Sequence, residues 1–136
     1  MNKTAQLKRY KKILLIDDDK VDTYISNRII KSASLAEDIV LKANVPDALT
    51  YLISLSDKPE QLPEIIFLDL GMPGMDGFDF LNEFNLLKDI IKTKCKIVVL
   101  TNSQHPDQEG NKNFKNNPFI RKIISKPLTV EALEKI

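Results

Sequence analysis

Short apolar runs punctuate the chain at Ile13 to Ile16, Ile65 to Leu68 and Lys96 to Leu100, each stopping at a polar residue. Apolar on both faces and too short for helices, they read as strands of a parallel sheet buried on both sides. A weaker run near Asp38 to Ala43 and another from Phe119 to Ile124 bring the predicted strands to five. Between them the apolar positions fall at helical spacing. A helix is expected from about Val21 to Ile30, with Val21, Ile25, Ile29 and Tyr24 on its inner face. Asn44 predicts an N-cap, with Pro46 in the first helical turn and Ala48, Leu49 and Leu52 turned inward. Gly77 opens a helix carrying Phe78, Leu81, Phe84 and Leu86 or Leu87, and Thr129 caps a last one. A further helix is expected between Ser103 and Asn117, where Pro106, Gly110 and several asparagines blur the period. The alternation predicts an α/β fold, a doubly wound five-stranded parallel sheet with right-handed crossovers.

Four predicted strands end in a chemically capable residue: Asp17 and Asp18, Asp69, Thr101 and Lys126. Open α/β sheets place ligands at these carboxyl ends. With the first, third, fourth and fifth strands adjacent, three carboxylates share one crevice and raise one another's pKa unless a cation joins them. Oxygen ligands in an open site suit Mg²⁺ better than a Ca²⁺ cage. Lys126 adds a point charge and Thr101 a hydroxyl. Together they form a receptacle for a phosphoryl group on a carboxylate, an aspartyl phosphate. Singly, each has a plainer reading: an acidic loop, a turn cap, a strand end, an exposed lysine.

Bulk properties narrow the class. The 136 residues suffice for one domain, and 20 basic against 19 acidic side chains (net +1) give no general attraction to nucleic acid or membrane. Lys3, Lys8, Arg9, Lys11 and Lys12 make residues 1–10 and just beyond locally basic, read as a solvated, frayed extension before a domain over 11–136. One cysteine, Cys95, rules out an intrachain disulfide and suits a reducing compartment. With no signal-peptide pattern and no membrane-length apolar stretch, a cytoplasmic protein is expected.

ILLIDDD, LDLGMPGMDG, VVLTNS and IISKPL occur in this order from Lys11 onward. In order and spacing the sequence resembles the receiver domain of two-component response regulators, especially single-domain, chemotaxis-regulator-like members. The resemblance implies a flavodoxin-like sheet of order 2-1-3-4-5. It implies that Asp69 is the phosphoacceptor for a sensor histidine kinase or phosphotransfer protein. Asp18, Asp69 and the backbone carbonyl of Gly71 would ligate Mg²⁺, with Asp17 acting through a water. Lys126 would pair with the phosphoryl group, Thr101 would move toward it, and Pro127 would follow a cis peptide bond. The chain itself would be a signalling switch, catalysing only its own phosphorylation and dephosphorylation.

Departures from the family pattern are informative. Gly71 stands two positions after the acceptor and Ser103 two after the threonine, places that tune hydrolysis in the family. Asn102 replaces a smaller residue, and Ile123 replaces the aromatic that couples to threonine movement; Tyr10, Tyr24 and Tyr51 do not match that place. About ten residues follow Lys126, so a stand-alone receiver, or one cut from a longer regulator, is expected to act by binding an unidentified target protein. Its output face would be the fourth helix, fifth strand and fifth helix, and the helix from Val21 and the Pro127-Leu128 loop would face the phosphodonor. A rival reading is a haloacid-dehalogenase-like phosphatase using Asp17 and Asp19 before Val21, which leaves Asp69 without a role and lacks the later acidic pair, only Glu131 and Glu134 remaining. A receiver-like docking module without phosphorylation is the third. His105 is read as a surface residue rather than a phosphotransfer histidine.

Overall fold

Side chains pointing to both faces of the central strands are apolar, so both faces need a cover of helices. A computed structural model describes residues 9–71, 76–102 and 117–136. The strands are β1 (Tyr10–Ile16), β2 (Ala36–Lys42), β3 (Ile65–Asp69), β4 (Lys96–Thr101) and β5 (Ile120–Ser125). The helices are α1 (Lys20–Ser32), α2 (Val45–Ser54), α3 (Gly77–Phe84), α4 (Asp89–Lys94) and α5 (Val130–Glu134), with a 3₁₀ turn at Pro59–Gln61. The sheet is parallel, with order β2-β1-β3-β4-β5, as the resemblance implied.

Alternation along each strand divides the core in two. Leu14, Ile16, Ile66, Leu68, Ile97 and Val99 face α2 and α3, where Phe80 stacks on Phe84 at 5.7 Å and Phe84 meets Phe119 edge to face at 5.5 Å between ring centres. Ile13, Leu15, Phe67, Val98 and Leu100 face α1 and α5 through Ile30 and Leu133. Register puts Ile16 beside Leu68, Asp69 beside Leu100 and Thr101 beside Ser125, aligning the strand ends that carry polar side chains.

Helix ends follow their capping residues. Asn44 accepts a hydrogen bond from Asp47 N at 2.8 Å, Thr129 Oγ1 accepts from Ala132 N, and Asp76 and Asp79 form a capping box on α3. The inner face of α1 differs from expectation. Val21, Tyr24 and Ile25 are 66, 62 and 44% exposed, whereas Ser26 and Ile30 are buried and Ile29 packs partly. Hydrophobicity located an apolar stripe but not the face that meets the sheet, which uses the small Ser26. Helix α3 ends at Phe84, short of Leu86 and Leu87; Phe80 is buried, Leu86 beyond the helix is exposed, and Phe78 and Leu87 pack partly against the core.

Three smaller corrections concern boundaries. Strand β2 starts and ends earlier than expected, Lys11 and Lys12 belong to β1 rather than to a frayed arm, and α4 was not anticipated. Lys12 is held, its ammonium donating to Gln61 O at 2.6 Å. The helix expected within Ser103 to Asn117 lies outside the described residues, as does His105. Where α4 meets β4, burial pushes the Cys95 thiol up to about 12 despite the opposing charges of Lys94 and Lys96. Among the described residues, no helix is long and apolar enough to cross a membrane.

Candidate functional site

Strands β1 and β3 end side by side, and each delivers a carboxylate as its apolar run stops. Asp17 is 3% and Asp69 5% exposed, while Asp18 is open to solvent. Ligand oxygens of Asp17, Asp18 and Asp69 lie within 4.8 Å of one another. Thr101, at the end of β4, is buried beside them in the sheet order. Its carbonyl accepts from Lys126 N at 2.7 Å, which ties the residue after β5 to the end of β4.

Lys126 supplies the positive charge. Its ammonium lies 2.9 Å from Asp22 Oδ2, 3.1 Å from Asp17 Oδ2 and 3.5 Å from Asp69 Oδ1. Burial alone would lower the lysine's pKa; the hydrogen bond with Asp22 and the charges of Asp69 and Asp17 reverse this and raise it. The lysine therefore stays protonated. Asp17 moves the other way from an ordinary carboxylate. Burial raises its pKa to about 6 and the charge of Asp69 adds to that, against the hydrogen bond from Asp19 N (3.0 Å) and the attraction of Lys126. Among the described residues, four carboxylates stand against one ammonium in the crevice, and three of them converge. An oxygen-rich donor set of this kind fits a hard divalent cation such as Mg²⁺.

Backbone geometry around Asp69 is tightly determined. Gly71 N donates to Asp69 Oδ1 at 3.2 Å, orienting the carboxylate. Among the described residues, a Cβ on Gly71 would meet Asp69 Oδ1 at 3.9 Å, an ordinary contact. Gly77 is different: a Cβ would stand 2.8 Å from Asp69 O and from Leu70 Cα. The start of α3 thus packs backbone to backbone on the end of β3. Gly77→Ala is expected to cost about 1–3 kcal/mol, because backbone must move to admit one methyl group. Urea unfolding measures it, and an unchanged midpoint would show that the packing yields freely.

Most residues singled out from the sequence occupy this crevice or its rim. Pro127 follows a cis peptide bond, Asn102 is exposed and Ile123 is half-buried. Ser103 lies outside the described residues. Asp19, the second acid of the phosphatase reading, caps α1 by accepting from Val21 N and Asp22 N at 2.8 and 3.0 Å. Asp22 was missed. An acid in the first turn of a helix reads as a complement to the helix dipole, and only its placement four residues after Asp18 hinted that it shares the crevice.

A model of the response regulator receiver domain matches residues 13–136. Response regulator Rcp1 from Synechocystis sp. is 28% identical over 98 residues, 71% of this chain and 65% of Rcp1, so the match spans under two thirds of that relative. Protein PilH from Pseudomonas aeruginosa is 26% identical over 125 residues, covering 91% of this chain and 92% of PilH. A solved two-component response regulator from Cytophaga hutchinsonii superposes with a TM-score of 0.83 at 26% identity, over 94% of each chain.

Proposed function

Since this chain belongs to the family of response regulator receiver domains, signalling switches of two-component systems, we propose that it switches by accepting a phosphoryl group on Asp69. The observation that carries the reading is the meeting of Asp17, Asp18 and Asp69 beside one buried lysine ammonium. The donor is a phosphohistidine on a sensor histidine kinase or phosphotransfer protein. A carboxylate oxygen of Asp69 attacks phosphorus; the P–N bond breaks, and its electron pair stays on the imidazole nitrogen. Lys126 neutralises a phosphoryl oxygen and Thr101 offers its hydroxyl to another. Asp18, Asp69 and the Gly71 carbonyl would hold Mg²⁺, with Asp17 acting through a water. Bound there, Mg²⁺ supplies charge neutralisation for the phosphoryl oxygens.

In this reading the receiver begins with β1 at Tyr10, one residue before the boundary expected at 11, and the residues ahead of it are a basic extension. Phosphorylation shifts a two-state equilibrium and so alters binding of a downstream protein in the cytoplasm. The test is intact-mass spectrometry after incubation with acetyl phosphate. A gain of one phosphoryl group that EDTA abolishes is expected. Absence of both an adduct and beryllofluoride binding, where a known receiver shows both, would reduce the protein to a docking module.

Protonation should compete with the metal. Asp17, titrating near pH 6 in the metal-free protein, carries a raised folded-state pKa, so its ionisation destabilises the free protein as pH rises through that value. A cation relieves the repulsion. The gain in Tm on adding Mg²⁺ is therefore expected to grow as pH rises through about 6, with apparent affinity weakening about tenfold from roughly pH 7.5 to 5. A Mg²⁺ shift in Tm that is flat across this range would remove Asp17 from the metal's surroundings.

A further inference from the structure

The shortest ion pair of Lys126 is made with a residue that has no part in the proposed transfer: Asp22 Oδ2 at 2.9 Å, against 3.1 Å to Asp17 and 3.5 Å to Asp69. Two of the ammonium's three donors are taken by hydrogen bonds to Asp22 and Asp17, while Asp69 Oδ1 at 3.5 Å is paired by charge. A phosphoryl group on Asp69 brings several further anionic oxygens to the same ammonium, and the one remaining donor is too few to serve them while Asp22 and Asp17 keep theirs. The side chains of Asp17 and Asp69 are 0 and 7% exposed, and Asp17 is further fixed by Asp19 N. Asp22 is 37% exposed and lies on the first turn of α1, so water can solvate it on release. Nor does it belong to the trio that converges for a metal.

We propose that Asp22 is a positioning residue that holds Lys126 in the unphosphorylated protein and competes with the phosphoryl group for it. This deepens, and rests on, the assignment of Asp69 as phosphoacceptor. Asp22 thereby acts as a brake on activation. Its carboxylate retains the lysine's charge and adds negative charge where a phosphate dianion must arrive. The brake also has an outlet. Asp22 and Lys126 line a cavity of about 220 Å³ with Ile25, Asn102, Pro127 and Leu128, between α1 and the loop leading to α5. Release of Asp22 would leave an unpaired carboxylate at its edge, beside the exposed Val21 and Ile25.

Calorimetric titration with beryllofluoride at saturating Mg²⁺ tests this, since that complex mimics a phosphoryl group without turnover. Asp22→Asn keeps the shape and removes the charge; it is expected to bind about tenfold tighter, the scale of one charge-assisted hydrogen bond. Asp22→Glu restores the carboxylate and should return affinity toward that of the unaltered protein. Asp22→Ser, equally uncharged, serves as a second variant if the amide perturbs folding. Equal or weaker binding by the uncharged variants overturns the brake. Failure of the unaltered protein to bind at all would instead strike the phosphoacceptor reading, so the two failures are distinguishable.

Discussion

Asp69→Asn is expected to gain no phosphoryl group from acetyl phosphate and Mg²⁺, a fall in uptake of at least about 100-fold. The amide keeps the size and planarity of the carboxylate but lacks its nucleophilic anionic oxygen. Folding should survive the change. Asp69 sits 5% exposed at the end of β3, where its charge raises the pKa of Asp17. Removing that charge relieves repulsion in the metal-free protein, so the variant should melt no lower than the unaltered protein. A stable protein without an adduct would assign the acceptor chemically, by intact mass and thermal unfolding on the same sample. An adduct persisting in the variant would sink the assignment and move the nucleophile to Asp17.

The second large effect belongs to Lys126→Met. Methionine spans a similar length, yet it leaves Asp17 and Asp69 without this cation. Breaking a buried pair by removing one partner strands the remaining charge at about 3 kcal/mol. We expect a stability loss of this order near neutral pH without Mg²⁺, shrinking as the pH falls and Asp17 takes up a proton. Phosphoryl uptake should drop as well, by about 100-fold, since among the described residues Lys126 is the cation paired with Asp17 and Asp69. Denaturation across pH, with and without Mg²⁺, separates the two effects. Stability independent of pH and metal would mean that the carboxylates do not feel the lysine.

How legible this was in the sequence depended on which force set each residue. Strands β1, β3 and β4 are buried on both faces, so Ile13–Ile16, Ile65–Leu68 and Ile97–Leu100 had to be apolar without interruption. Their polar terminators stood out for that reason, and so did the crevice. Helix α1 was misread because its most apolar stripe, Val21 and Ile25, lies outside, while the buried Ser26 gives no hydrophobic signal. Short α4 has no side-chain N-cap to announce it. Asp22 was hidden differently. Its partner is 104 residues away in sequence, and pairing across that distance appears only once β5 lies next to β4.

Cys95 offers a use that its chemistry does not suggest at first sight. It is the single thiol of the chain, fully buried where α4 meets β4 and held far from its reactive form. Only the thiolate attacks alkylating reagents, so modification must wait until the domain opens and hydrates this position. The labelling rate therefore counts openings of the core under native conditions, at one defined point and without any added probe. Conditions that brace the strand ends against one another would lengthen the wait. The protein thus carries its own clock for local unfolding beside the sheet whose strand ends present Asp17 and Asp69.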